Sequence, residues 1–423
     1  MSTKRVAIRT DANSEIGTGH FMRCLTLAEE LKKNGAQVCF VARSLPSYLS
    51  QMLQDRNINL YPLQEGGSAE ELDDLPHSKW LKMSQHQDAM QTLEVLGSNK
   101  FEWLIVDHYA IDCRWESLLR GVAKKIMVID DLADRQHDCD VLLDQNYYHD
   151  MNDRYVEKVP GHCRLLLGPT YALLRDEFRE KRKFVKPRNG LIKKILIYFG
   201  GVDSKNYTSI AINSLIHKGW CLDVDVVIGK QHPNIQEIRD YCKSNGFACH
   251  IQTEKMAELM AKSDLAICAG GASVWELFSM GLPSICISTA TNQSKQIIDL
   301  QQVGLVISPL PDQDMDEFFS HALGIVSSDQ ALLRRISSRI FEMVDGNGAS
   351  KVGNLIVPPH IKMRLADQSD SLNIFTWRNH PTIRDNSIST KEISWAEHEK
   401  WYGQQRKAVG AVPHVLDHDL RIG

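Results

Sequence analysis

A segment near the N-terminus, Arg9–His20, carries the residue types best suited to chemistry. It reads RTDANSEIGTGH and follows a short apolar run. Gly17 and Gly19 permit positive φ angles and close approach of a ligand to the backbone, and a helix that begins after them offers unpaired N–H groups to an anion. The side-chain pKa of histidine is ordinarily about 6.5, which suits His20 to act as a general base. The pattern alone fits an ordinary turn with an incidental histidine about equally well.

A second segment, Ile267–Leu277, combines a glycine turn with an acidic residue. Gly270, Gly271 and Ser273 can donate backbone and hydroxyl hydrogen bonds to a pyrophosphate. Glu276 follows about one helical turn later, where its carboxylate can accept hydrogen bonds from a ribose diol. The alternative is that an acidic residue near a helix start only interacts favourably with the helix dipole.

Other glycine and polar residues also follow apolar runs. Gly200 and Gly201 form a third glycine turn, and Asp107–Tyr109 is placed to line a cleft. For Asp130 and Asp131, capping and loop solvation are the favoured interpretation. The sequence has no Cys-x-x-Cys pair, Walker loop or Gly-x-Ser-x-Gly elbow, and no metal site is expected.

The elements that must position these residues alternate between apolar runs and amphipathic segments. This alternation predicts an α/β fold with two doubly wound parallel sheets. The predicted strands are Val6–Ile8, Val38–Val41, Leu104–Val106, Ile126–Ile129, Leu165–Leu167, Ile195–Phe199, Val224–Ile228, Leu265–Cys268 and Ser284–Ile287. The predicted helices include Thr18–Asn34, Ile235–Ser244, Val274–Met280 and Lys295–Gln302.

Two breaks, the second of them at Asp345–Ser350 and Val357–His360, divide the chain into two domains and a further segment. The polar, basic stretch Arg179–Gly190 lacks apolar periodicity, so it is interpreted as an interdomain linker. The predicted domains are residues 1–180 and 191–350, which face each other across a cleft at the carboxyl ends of the strands. Residues 358–423 contain three of the eight tryptophans and no cysteine.

Composition excludes several classes of protein. The 43% hydrophobic and 24% charged residues are typical of a globular protein, and a net charge of −4 provides no basic surface for general nucleic-acid binding. No run of about 18 apolar residues is present, so no membrane association is expected. The ten cysteines lie mostly in apolar segments, which favours buried reduced thiols and a cytoplasmic location.

The segment Asp11–Ala28, DANSEIGTGHFMRCLTLA, resembles the N-terminal signature of a known family. This family is the UDP-2,4-diacetamido-2,4,6-trideoxy-β-L-altropyranose hydrolases of pseudaminic acid biosynthesis. The resemblance covers roughly residues 4–350 and recurs in order at Ile105–Tyr109, Ile129–Arg135, Leu142–Asn146, Leu167–Arg175, Phe199–Gly201, Ala269–Leu277 and Asn292–Gln293. It implies the two-domain GT-B fold of nucleotide-sugar glycosyltransferases and a reaction that uses no metal and no cofactor.

The resemblance also implies roles for individual residues. His20 would be the general base that activates water for attack on the anomeric carbon of a UDP-sugar, with inversion, while UDP leaves. Ser273, Glu276 and the glycines before them would hold the nucleotide, and Asn292 would lie near the sugar. Together with the glycine turns, the implied substrate-binding residues are Asp11, Asn13, Gly17, Gly19, Tyr109, Gly200, Gly201, Gly270, Gly271, Ser273, Glu276, Asn292 and Gln293.

The C-terminal segment resembles a different family, the opening part of a GNAT-type sugar N-acetyltransferase. The matching runs are IKMRLAD from Ile361, FTWRN from Phe375 and SWAEHEKW from Ser394. The segment lacks the glycine-rich pyrophosphate loop for acetyl-CoA, so it is expected to be an incomplete, poorly packed remnant. An acetyltransferase acts in the same pathway, and the resemblance therefore implies other enzymes of that sugar pathway as partners.

Two alternatives to the hydrolase stay open. One is a GT-B glycosyltransferase, in which a sugar or lipid acceptor takes the place of water. The other is a non-catalytic protein that binds a nucleotide sugar or recruits a partner through its C-terminal segment.

Overall fold

The computed structural model describes residues 3–65, 72–201, 203–220, 222–310, 313–359, 362–387, 389–407 and 414–417. The chain divides into two compact units, Met1–Val357 and Pro358–Gly423. The larger unit contains two α/β domains, each built on one parallel sheet.

The first domain has a seven-stranded sheet. Its strands are β1 Arg5–Thr10, β2 Gln37–Ala42, β3 Asn59–Pro62, β4 Phe101–Asp107, β5 Ala123–Ile129, β6 Val141–Asp144 and β7 Arg164–Leu167. They lie in the order β3-β2-β1-β4-β5-β6-β7, and every neighbouring pair is parallel. Val6 and Ile8 belong to one apolar cluster and Ala7 to another, because successive residues of a strand point to opposite faces. Both faces are thus buried, as the continuous apolar runs predicted.

Four helices cover this sheet: α1 Gly19–Lys33, α2 Ser47–Asp55, α3 Gln85–Leu96 and α4 Cys113–Leu119. The next helix along the chain, α5 Asp176–Arg182, packs on the second domain. Helix α5 overlaps the start of the predicted linker, which is therefore partly helical. Its Phe178 is fully buried in the core of the second domain.

The second domain has a five-stranded parallel sheet in the order β10-β9-β8-β11-β12. The strands are β8 Lys194–Tyr198, β9 Asp223–Ile228, β10 Ala248–Ile251, β11 Leu265–Ala269 and β12 Ser284–Ile287. The helices are α6 Tyr207–His217, α7 Ile235–Ser244, α8 Met256–Lys262, α9 Ser273–Ser279, α10 Thr291–Gln302, α11 Met315–Ser328, α12 Gln330–Met343 and α13 Gly348–Ile356. The predicted architecture of two doubly wound sheets is confirmed.

Helix α13 returns to the first domain and packs on α1. Val352 and Ile356 are buried in the same apolar cluster as residues of α1. The helices approach so closely that a Cβ atom on Gly353 would lie 2.8 Å from Glu30 Cγ, which explains a glycine at this position. The Asn34 amide donates to Asn354 Oδ1 at 3.0 Å and fixes the end of α13.

The smaller unit contains strands β13 Lys362–Leu365 and β14 His414–Asp417, which are antiparallel, and helices α14 Ser371–Asn379, α15 Pro381–Asp385 and α16 Trp395–Lys407. Ala366, Ile374 and Tyr402 form its small buried cluster. Within the described ranges, no helix of the protein combines the length and the hydropathy needed to cross a bilayer. The acetyltransferase resemblance of this unit stays a prediction, and residues 408–413 and 418–423 of its end lie outside the described residues.

Candidate active site

The carboxyl ends of β1 and β4 bring separate parts of the sequence together. The two strands are neighbours, and Thr10 at the end of β1 is in register with Asp107 at the end of β4. The turn after β1 leads into α1, and His20 is the second residue of that helix. The fully buried Phe21 packs on Phe40 of β2 and anchors this end of the helix to the sheet.

His20 forms a short hydrogen bond with the buried carboxylate of Asp107. The distance from His20 Nδ1 to Asp107 Oδ1 is 2.5 Å, and Asp107 has no exposed surface. Among the described residues, His20 Nε2 has no hydrogen-bond partner. This atom is accessible to solvent, unlike the buried polar atoms that lack a partner. A carboxylate on Nδ1 favours a proton on that nitrogen and leaves the lone pair of Nε2 free. The arrangement therefore provides an oriented base that is open to water.

Two further residues of α1 hold the same carboxylate. Arg23 and Cys24 follow His20 by three and four positions, which places all three on one face of the helix. Arg23 donates from Nε to Asp107 Oδ2 at 2.6 Å and from Nη2 to Asp107 Oδ1 at 2.7 Å. Cys24 Sγ lies 3.4 Å from Asp107 Oδ2. Burial alone would raise the pKa of Asp107, but Arg23 and then His20 outweigh it and hold that pKa well below its ordinary value.

A second buried histidine–carboxylate pair in the same domain provides a contrast. His137 Nδ1 lies 2.8 Å from Glu116 Oε1, and both side chains are fully buried. The other ring nitrogen of His137 is sealed from solvent and has no hydrogen-bond partner among the described residues. His137 can therefore stabilise the fold but cannot reach a water molecule, whereas His20 can.

Aromatic side chains surround the exposed edge of His20. The Tyr109 ring lies 4.5 Å from the His20 ring and the Trp80 ring lies 6.0 Å from it, both edge to face. Trp80 stacks on Tyr109 at 5.4 Å, and His77 packs against Trp80 at 4.7 Å. Tyr109 is almost fully buried and packs against both His20 and Trp80, and its contact with the substrate stays a prediction.

Asp131 connects several of these groups, so its interpretation as a solvated loop residue is wrong. Its Oδ1 accepts a hydrogen bond from the Tyr109 hydroxyl. Its Oδ2 accepts from Arg23 Nη1 at 3.2 Å and from Asn146 Nδ2 at 3.2 Å. By contrast, Asp130 does stabilise its own loop, since its carboxylate accepts from the backbone N–H of Ala133 at 2.9 Å.

The residues between β1 and α1 shape the turn before His20. Asp11 is fully buried, and its Oδ1 accepts the backbone N–H of Arg43 at 2.6 Å. Asn13 Oδ1 accepts from the N–H groups of two following residues, at 2.8 Å each. Gly17 has φ +78° and donates to the Asn13 carbonyl, while Gly17 and Gly19 are both exposed. Asp11 and Asn13 thus hold the turn in place, and the backbone of the two glycines is accessible; substrate binding by these four residues stays a prediction.

In the second domain, two predicted glycine turns lie side by side. Tyr198 of β8 is in register with Cys268 of β11, so the turns that follow these strands lie at the same edge of the sheet. They contain Gly200 and Gly201 after β8, and Gly270 and Gly271 after β11.

The turn after β11 packs against the first turns of α10. A Cβ atom on Gly270 would lie 2.8 Å from Ile297 Cγ1, and one on Gly271 would lie 3.1 Å from Gln293 Nε2. Gly271 also has φ +118°, which disfavours any other residue. Asn292 belongs to the same turn of α10, but its side chain lies outside the described part of the chain. The structure thus brings Gly270, Gly271 and Gln293 together.

Ser273 and Glu276 lie on the first turn of α9. Glu276 Oε1 lies 3.3 Å from Arg175 Nη2, which comes from the end of the first domain. Burial raises the pKa of Glu276 to about 7, and Arg175 only partly opposes this effect. A carboxylate that titrates near neutral pH can change its hydrogen bonding to a ligand within the physiological range.

Several contacts connect the second domain to the first. Trp275 Nε1 donates to Asn146 Oδ1 at 2.9 Å, between two buried side chains. Nearby, Asp299 Oδ2 accepts the backbone N–H of His149 at 3.1 Å. Among the described residues, no group of three or more His, Cys, Asp or Glu side chains is arranged to hold a metal ion. Metal independence stays a prediction.

Asp144, at the end of β6, is expected to make stability depend on pH. Burial, with the Asp131 carboxylate nearby, raises the pKa of Asp144 to about 8. The folded state therefore binds this proton more tightly than the unfolded state does, so the stabilisation is present at acid pH and is lost as pH rises through about 8. Between about pH 5 and pH 8 the unfolding free energy of the wild type should fall because of Asp144. In Asp144→Asn this fall should be smaller by on the order of 1–3 kcal/mol. Denaturant titrations of both proteins at the two pH values measure this difference, and identical pH dependence would contradict it.

Comparison with known proteins identifies the fold. Residues 201–325 match the glycosyltransferase family 28 C-terminal domain. The MurG structure of Acinetobacter baumannii superposes with a TM-score of 0.57 at 14% identity, covering 84% of this chain and 99% of that one. The chain has the GT-B fold. The GT-B prediction from the sequence is therefore confirmed.

Two proteins are similar to this chain in sequence as well. The chain is 28% identical over 301 residues to the UDP-2,4-diacetamido-2,4,6-trideoxy-β-L-altropyranose hydrolase of Campylobacter jejuni, covering 69% of this chain and 97% of that protein. It is 24% identical over 420 residues to the uncharacterized protein MJ1062 of Methanocaldococcus jannaschii, covering 96% of this chain and 79% of that protein. Because the alignment with MJ1062 covers 96% of this chain, it includes much of the C-terminal unit Pro358–Gly423 as well as the GT-B domains.

Proposed function

We propose that the protein hydrolyses a UDP-linked 2,4-diacetamido-2,4,6-trideoxy hexose of the altropyranose type to UDP and the free sugar. The observation that carries this proposal is the His20–Asp107 pair, whose Nδ1 side is held by a buried carboxylate and whose Nε2 is open to solvent. The GT-B fold and the similarity to the Campylobacter jejuni hydrolase support a UDP-sugar as the substrate.

The chemical step needs one base and a good leaving group. A water molecule loses a proton to His20 Nε2 while its oxygen forms a bond to the anomeric carbon. The bond between that carbon and the phosphate oxygen breaks on the opposite face, so UDP leaves with the electron pair and the configuration inverts. The imidazolium that forms is stabilised by Asp107, and its proton then returns to solvent.

The nucleotide would bind to the second domain. The N–H groups of the two glycine turns and the Ser273 hydroxyl can take up the charge that develops on the pyrophosphate. Glu276 would accept hydrogen bonds from the ribose diol. Because UDP carries away its own charge, no separate acid is required in this scheme.

A glycosyltransferase with the same donor is the second candidate, favoured by the match of residues 201–325 to a glycosyltransferase domain. Incubation of the 2,4-diacetamido UDP-sugar with the protein, with and without candidate sugar and lipid acceptors, separates the two. Release of free sugar at an unchanged rate in the absence of acceptor supports hydrolysis. Turnover only with an acceptor supports transfer, and tight binding without turnover in either case supports a non-catalytic role.

Glu276 should make UDP binding depend on pH. If the ionised carboxylate accepts from the ribose, affinity falls as pH decreases through the Glu276 pKa of about 7. Between pH 8 and pH 6 a pKa of about 7 predicts a loss of about tenfold. Titration calorimetry of the wild type and of Glu276→Gln at both pH values measures this effect. The ionisation of UDP affects both proteins equally, so it cancels in the ratio of their UDP affinities. An unchanged ratio would rule out this role for Glu276.

A further inference from the structure

Asn146 lies between the two α/β domains and contacts a group from each. Its Oδ1 accepts the Trp275 Nε1–H at 2.9 Å, and its Nδ2 donates to Asp131 Oδ2 at 3.2 Å. Asn146 is 7% exposed and Trp275 has no exposed surface. An indole N–H can only donate and a carboxylate can only accept, so the side-chain amide satisfies both with its two different ends.

The orientation of this amide follows from its partners. A flipped amide would turn its NH2 group towards the indole N–H and its oxygen towards the carboxylate, so both hydrogen bonds would be lost. Because Trp275 is fully buried, its N–H would then lack a partner, which is unfavourable in the interior. The indole of α9 therefore determines which end of Asn146 meets Asp131.

Asp131 continues the connection to the catalytic base. Its Oδ2 also accepts from Arg23 Nη1 at 3.2 Å. The same guanidinium holds both carboxylate oxygens of Asp107, which in turn holds His20 Nδ1. A continuous series of hydrogen bonds thus runs from helix α9 of the second domain to His20 of the first.

We propose that Asn146 is a positioning residue that couples the nucleotide-binding helix α9 to the orientation of His20. Trp275 lies between Ser273 and Glu276 on this helix, so a movement of α9 when the nucleotide binds moves the indole that orients Asn146. The inference rests on the proposed function, since it takes α9 as the nucleotide helix and His20 as the base.

Two substitutions interrupt the Trp275–Asn146–Asp131 bridge, one at its middle residue and one at its Trp275 end. Asn146→Ala removes both hydrogen bonds, and Trp275→Phe removes the indole N–H and part of the ring volume while it keeps an aromatic ring in the core. Each should lower kcat for UDP release by about tenfold or more, because the base is misplaced, with the Kd for UDP within about twofold of wild type. The double variant should be no slower than the slower single variant, because both changes break the same connection.

Asn34→Ala is the matched control. Asn34 is also buried and also bridges two elements, since its amide donates to Asn354 Oδ1 at 3.0 Å and to the Val357 carbonyl at 2.9 Å. This contact joins α1 to α13, away from Asp131. The control should lower the thermal midpoint to a similar extent as Asn146→Ala, but it should leave kcat and the pH profile unchanged.

An NMR titration gives a readout that does not depend on turnover. UDP added to the wild type should shift the imidazole resonances of His20, assigned by their absence in His20→Asn, and the shift should disappear in Asn146→Ala. If the wild type neither binds UDP nor releases it from the UDP-sugar, the proposed function would be contradicted, and so would the inference that rests on it. If the wild type binds and releases UDP, and Asn146→Ala keeps the kcat of Asn34→Ala, the coupling through Asn146 would be wrong and the proposed function would be unaffected.

Discussion

Replacement of His20 by alanine is expected to reduce kcat for UDP release by about 10²–10⁴-fold, the usual contribution of a general base. The affinity for UDP should stay within about threefold of wild type, since the nucleotide contacts are assigned to the second domain. The thermal midpoint should change little, because the His20 side chain is at the edge of the core and its Nε2 is open to solvent. Stopped assays of UDP release, calorimetry with UDP and thermal unfolding measure the three quantities.

His137→Ala is the control that separates a base from a buried histidine. His137 forms the second histidine–carboxylate pair of the domain, with Glu116, but its remaining nitrogen is sealed from solvent. This variant should lose stability and keep its kcat. If His20→Ala retained near-native UDP release while folded, or if His137→Ala lost as much activity as His20→Ala, the assignment of His20 would be wrong.

Asp107→Asn is expected to reduce kcat by about 10²–10⁴-fold as well. The substitution removes the charge that stabilises an imidazolium, and the NH2 end of the new amide no longer favours a proton on His20 Nδ1. In a serine protease the equivalent Asp-to-Asn change lowers kcat by about 10⁴-fold through the wrong histidine tautomer. Here the effect should appear in kcat and in the pH profile, with UDP affinity nearly unchanged.

Loss of Asp107 also leaves the largely buried Arg23 without its main partner, so a stability control is required. Asp88→Asn provides it, because Asp88 is fully buried and forms ion pairs with Arg9 and Arg43 at 2.8 and 2.7 Å. Both variants should lose about 3 kcal/mol of unfolding free energy, the usual cost of removing one partner of a buried pair. Only Asp107→Asn should lose activity at temperatures where both proteins are folded. Equal activities in the two variants would contradict the role of Asp107.

The sequence was sufficient to predict the two sheets and the turn that carries His20. Both depend on local patterns: apolar runs for parallel strands, and two glycines next to a histidine for the turn. The short strands β3, β6 and β10 were not predicted. Two of them, β3 and β10, are half-exposed edge strands without a continuous apolar run.

The partners of His20 were harder to predict. The pairing with Asp107 depends on the register of β1 with β4, which joins residues 87 positions apart. One signal for Arg23 was available, since it follows His20 by one helical turn. The importance of Asp131 and Asn146 depends on contacts between loops and between domains, and a single sequence does not specify such contacts.

The most direct test of the central claim follows the reaction of the 2,4-diacetamido UDP-sugar by NMR in ¹⁸O-labelled water. Water attack at the anomeric carbon predicts UDP and a free sugar that carries the label at its anomeric hydroxyl, with the inverted anomer appearing first. Label in the phosphate of UDP, a sugar phosphate with UMP, or retention of the anomeric configuration would contradict the account.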